Sequence, residues 1–81
     1  MGTTTVKPGM RFMNGIMELT VLCFTETKDT NLALLICSND GLFITVRNLQ
    51  LWQGQFIWYF GHYYDSIHEA VKDYDNRKKE L

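Results

Sequence analysis

The chain has 81 residues, with 8 Lys and Arg against 9 Asp and Glu for a formal net charge of -1, and 46% of it is hydrophobic. That length supports one domain, taken here as residues 1–81, and so apolar and weakly charged a chain is not a disordered one. No run approaches the roughly 20 apolar residues of a membrane span, and the charge balance argues against a broad electrostatic grip on nucleic acid.

At the start, Thr3, Thr4 and Thr5 stand where the apolar core of a secretory signal would begin. The expected compartment is therefore the cytoplasm. Pro8-Gly9 marks an irregular entry. Turn signals then recur at short intervals: Asn14-Gly15, Lys28-Asp29-Thr30-Asn31, Asn39-Asp40-Gly41 and Gln53-Gly54. Asn-Gly and Asp-Gly supply the positive φ that tight hairpins require. Between the turns lie segments rich in β-branched and aromatic residues, which predicts strands at about 10–13, 17–26, 32–38, 42–47 and 55–60. The connections are too short for helical crossovers, so the sheet is expected to be an antiparallel meander.

Charge is distributed unevenly. From Thr30 to Tyr64 only Asp40 and Arg47 are charged, whereas nine charged residues follow from Asp65 to Glu80. Within that tail Ile67, Ala70, Val71 and Tyr74 recur at helical spacing, which predicts a helix over about 66–79. Ser66 and Glu69 have the spacing of a capping box, and Lys78 and Lys79 suit the C-terminal end. The expected fold is α+β: an antiparallel meander of four to five strands with one C-terminal α-helix packed on one face.

Strand alternation puts Leu42, Ile44 and Val46 on one face with Leu32, Leu34, Ile36, Phe56, Trp58 and Phe60, joined by Leu22 and Phe24. This face is expected to be the core under the helix. Val21, Cys23, Thr25, Ala33, Leu35, Cys37, Phe43, Thr45, Arg47, Ile57 and Tyr59 fall on the other. A five-stranded sheet is about 20–24 Å across and a helix about 10 Å wide, so one helix leaves the second face uncovered. An uncovered apolar face implies a partner, either foreign or a second copy, unless a long N-terminal segment folds over it. Large aromatics dominate interface energy, and the residues singled out for partner binding are Phe43, Arg47, Trp52, Ile57 and Tyr59. Asp65, Glu69 and Asp73 repeat every fourth residue along the helix and form a second-choice acidic stripe.

Chemistry is scarcely signalled. Cys23, Cys37, His62 and His68 make up a numerically complete zinc set, but no short Cys-x-x-Cys spacing is present and the expectation is no metal. The cysteines read as free thiols in a reducing compartment. No phosphate loop and no nucleophile elbow occurs. Hence neither catalytic residues nor a cofactor is expected, and the chain does not read as an enzyme. The dense aromatics of 52–64 lack the interleaved cations of a single-strand binder, so direct nucleic-acid binding is not expected.

The run Asn39-Asp40-Gly41-Leu42-Phe43-Ile44-Thr45-Val46-Arg47, an aromatic strand, and then Gly61-His62-Tyr63-Tyr64-Asp65 before a helix bearing Ala70, Tyr74 and Arg77 resembles a group of small proteins of phages and mobile elements. These share a Gly-His-Tyr-aromatic joint before their last helix, and the resemblance covers about half the chain. It carries no catalytic role. Gly61, His62, Tyr63, Ala70 and Tyr74 read as structural, with Gly61 permitting a sharp exit from the last strand and His62 bonding across the joint. Small phage proteins without catalytic apparatus are often inhibitors of host defence, of which anti-CRISPR proteins are the best-known class. The resemblance thus implies a non-enzymatic inhibitor that binds a host CRISPR nuclease by direct protein contact. A small nucleic-acid-binding regulator of a mobile element, or a structural homodimer, are the alternatives. At -1 the chain lacks the strong negative charge of a DNA mimic.

Overall fold

A computed structural model describes residues 6–81 and, of residues 51 and 52, the backbone alone. The first residues, and with them the reading of a signal segment, lie outside the described residues. Five strands precede one helix: β1 (Arg11–Asn14), β2 (Met17–Glu26), β3 (Asn31–Cys37), β4 (Phe43–Trp52), β5 (Gln55–Tyr64) and α1 (Ile67–Lys78). The strands form one antiparallel sheet in the order β1-β2-β3-β4-β5, which is the meander expected from the turn spacing.

The turns follow from backbone chemistry. Gln53 (φ 50) and Gly54 (φ 79) both adopt positive φ between the paired Trp52 and Gln55, as a two-residue type I′ hairpin requires. That tight turn lets β4 and β5 run as a long hairpin, extending past the expected ends at 47 and 60 to Trp52 and Tyr64. The helix begins after Ser66, which stays extended as an N-cap. Its side chain makes no capping bond, so the expected capping box with Glu69 does not form.

The face assignment needs correction. Leu35 pairs with Ile44 and Ala33 with Val46, so Ile44 and Val46 share a face with Ala33 and Leu35, not with Leu32 and Leu34. On β2 the register shifts between Val21 and Cys23, leaving Leu22 as the extra residue of a bulge. Val21 is thereby placed with Leu35, and Cys23 with Leu34.

The second face is not left to solvent. The sheet curls on that side into a half-barrel and β1 approaches β5, where the Phe12 and Phe56 rings lie 4.5 Å apart. Phe12, Leu19, Val21, Ala33, Leu35, Cys37, Ile44, Val46 and Leu49 are buried there, with Met10, Met17, Phe24, Phe56 and Trp58 packed around them. The flat-sheet geometry behind the expected open face fails because a twisted and bulged sheet curls over its own inner face without closing. This is the larger core. The smaller one lies under α1, where Leu32 and Leu34 meet Ala70 and Tyr74, flanked by Phe43, Tyr64 and Leu81.

Candidate functional site

Two arrangements bear on function. The first is a polar hub between α1 and the sheet. Asp73 faces inward and accepts hydrogen bonds from Thr45 Oγ1 (2.6 Å) and His62 Nδ1 (2.9 Å). An ionised carboxylate only accepts, so His62 carries its proton on Nδ1. Arg77 Nη1 donates to the Thr45 carbonyl (3.1 Å) and to Thr45 Oγ1 (3.0 Å), and stands 4.0 Å from Asp73. Burial alone pushes the Asp73 carboxyl up, but the hydrogen bonds from Thr45 and His62 outweigh it and hold the group below the usual carboxylate range. Tyr64 is shifted the other way, upward, first by burial and then by the charge of Asp73.

A carboxylate, an imidazole and a hydroxyl in contact are the components of a hydrolytic triad. Here Asp73 takes the middle place and bonds both partners, and Thr45 is 0% exposed. A substrate therefore has no path to the hydroxyl. The hub anchors α1 to β4 and β5, and His62 does bond across the joint between β5 and α1.

The second arrangement is the outer strand. Between the pairs Thr45–His62 and Arg47–Tyr59, β4 advances two residues and β5 three, so Phe60 and Gly61 form a bulge opposite Val46. Between Arg47–Tyr59 and Gln50–Ile57 the excess lies on β4, at Asn48 and Leu49. Each bulge contains a left-handed residue, Asn48 (φ 55) and Phe60 (φ 53). The two differ in what supports them. Asn tolerates this conformation. The side chain of Asn48 is bonded by Thr30, and Asn31 makes two bonds to the backbone of Leu49 (2.9 and 3.1 Å). Phe60 is a bulky residue in a conformation that costs about 1–2 kcal/mol for non-glycine residues, and its side chain is 71% exposed. Tyr59 (51%) and Tyr63 (53%) stand exposed on the same strand.

Gly61 has a different task from the sharp strand exit expected of it. The strand continues to Tyr64, and a Cβ on Gly61 would lie 3.1 Å from Trp58 Nε1 and 3.4 Å from the Tyr63 ring. The glycine makes room for two aromatic rings.

The expected partner-binding residues are dispersed. Tyr59 is exposed, and Arg47, its ladder partner, is half-buried with an Nε that is buried and has no hydrogen-bond partner. Ile57 is half-buried. Phe43 packs against the core under α1, and the side chain of Trp52 lies outside the described residues. Of the acidic stripe, Asp65 and Glu69 are exposed, but Asp73 is turned into the hub. Phe60, expected in the core, was missed as a surface residue. Its alternation with Phe56 and Trp58 pointed inward, and the bulge that turns it out leaves no mark in composition.

Cys23 lies opposite Leu34 and Cys37 opposite Leu19, so the two thiols are not cross-strand neighbours, and both are free. Among the described residues no group of three or more His, Cys, Asp and Glu is placed to hold a metal ion. An open groove of about 410 Å³ runs between β2 and α1, lined by Leu22, Cys23, Phe24, Val71 and Tyr74 among others. No helix among the described residues is long and apolar enough to cross a membrane. Comparison with protein-family models, with curated proteins and with solved structures finds no match.

Proposed function

We propose that this chain is a non-enzymatic protein-binding module whose contact surface is the exposed aromatic stretch of β5, with Phe60 at its centre and Tyr59 and Arg47 beside it. One observation carries the reading. Phe60 is both conformationally strained and exposed, so neither backbone preference nor burial favours an aromatic at that position. Residues that the fold itself disfavours mark sites kept for another purpose. Large aromatics presented on a rigid strand are what a protein interface uses for its energetic centre.

The partner class comes from the resemblance to phage and mobile-element proteins: a host CRISPR nuclease, inhibited by direct contact. With Asp73 turned inward, only two carboxylates of the helix stripe face outward, which supports steric or allosteric blockade over imitation of a phosphate row. The test is DNA cleavage by a purified CRISPR nuclease of the host, with and without the protein. Wild type is expected to inhibit, and a Tyr59→Ser/Phe60→Gly double variant of unchanged circular dichroism is expected not to. Full inhibition by that folded double variant refutes the surface. No binding of wild type to any nuclease of the host refutes the partner class.

A further inference from the structure

The two edges of the sheet are protected to very different degrees. β1 is four residues long, contains Arg11 and lies beside exposed Glu18. β5 is ten residues long and holds no Lys, Arg, Asp, Glu or Pro. Short length, charge and proline are the usual devices that stop an edge from pairing with another chain. The first part of β5 is occupied by the approach of β1, through Phe12 and Phe56. From Tyr59 to Tyr64 no described strand pairs with its outer side, and α1 packs on the sheet face.

We infer that this free half of β5 is where two copies of the chain pair, antiparallel about a two-fold axis, so that one sheet runs through both. Charge selects the occupant. A two-fold axis sets an edge against itself, and any charged residue near the axis meets its own kind. β5 is the edge on which that repulsion is absent, whereas on β1 Arg11 would face a second Arg11. Regular pairing at His62, Tyr63 and Tyr64 against β4 keeps this end of the strand straight enough to template another. The bulge at Phe60 and Gly61 is the single protective feature present, and it limits the ladder to a few residues. The dimer is accordingly reversible and concentration-dependent. Pairing uses backbone groups in the plane of the sheet and leaves the side chains of Tyr59 and Phe60 on its faces, so it is independent of the partner reading above.

The test is sedimentation of the purified full chain alone over a wide concentration range. Wild type is expected to shift from monomer to dimer. Tyr63→Lys, which places like charges near the axis at an exposed position, is expected to remain monomeric. Met13→Lys, exposed on β1, is expected to dimerise as wild type does. Wild type that is monomeric throughout overturns the inference, as does a dimer dissolved by Met13→Lys but not by Tyr63→Lys. If Tyr63→Lys does not fold, amide exchange on wild type decides. Protection over residues 59–64 that rises with concentration supports pairing there, and protection independent of concentration overturns it. None of these outcomes depends on a foreign partner.

Discussion

Replacing Phe60 by glycine tests the claim that the fold does not favour an aromatic there. Leaving the left-handed region to glycine recovers about 1–2 kcal/mol, and the greater freedom of glycine in the unfolded chain returns about 0.5–1 kcal/mol of that. A phenylalanine presents roughly 200 Å². At 71% exposure no more than about 60 Å² of it is covered, worth at most about 1.5 kcal/mol at 25 cal/mol per Å². These contributions nearly cancel, so Phe60→Gly should change stability by no more than about 1.5 kcal/mol in either direction. Phe12, 8% exposed in the half-barrel core, provides the contrast, since Phe12→Ala should cost about 3–5 kcal/mol. Thermal unfolding followed by circular dichroism separates them, because 1 kcal/mol corresponds to about 4–8 °C in a domain of this size. A loss of more than about 2 kcal/mol on Phe60→Gly would mean that the ring is packed, and would remove the reason for assigning it to an interface.

Leu35 is 0% exposed on the face once expected to be open, so Leu35→Ala should destabilise by about 2–5 kcal/mol in urea denaturation; a near-neutral result would contradict the curled sheet. Gly61→Ala forces a Cβ against Trp58 and should cost about 1–3 kcal/mol, with a shift in tryptophan emission as the indole moves. The Asp73 carboxyl is held below its ordinary range when folded, so its contribution is present above the unfolded pKa, about 3.9, and is lost as pH falls through the lower folded value. Wild type should therefore lose stability on acidification through that window more steeply than Asp73→Asn, as measured by denaturation at stepped pH; identical slopes would place the acid dependence elsewhere.

The chain order of elements was legible in the sequence because turn chemistry announces itself. Asn14-Gly15, Asn39-Asp40-Gly41 and Gln53-Gly54 locate three hairpins, and the Ile67, Ala70, Tyr74 spacing locates the helix. The faces were not legible. After Asn31, β3 reads Leu32-Ala33-Leu34-Leu35-Ile36-Cys37, an unbroken apolar run, so alternation cannot choose between two registers a residue apart. Bulges on β2, β4 and β5 then shift or flip the side chains beyond them, and the one on β5 carries Phe60 from the expected core to the surface. The second face was expected to stay open to solvent for a partner, and it is buried instead. What covers it is the sheet's own curvature, which depends on bulges and twist that no single residue signals. Asp73 lay in plain view as part of a stripe, yet its inward turn depends on Thr45 and His62, which lie on β4 and β5 and meet it only in the fold.

The most direct measurement on the β5 surface is a titration of the purified host nuclease proposed as partner with wild type and with Phe60→Gly, each shown to melt at a similar temperature. Binding by wild type together with a loss of at least about tenfold in the variant, or 1.4 kcal/mol, is the predicted result. Equal affinity of the two proteins would contradict it, since the residue that the fold disfavours would then serve no partner.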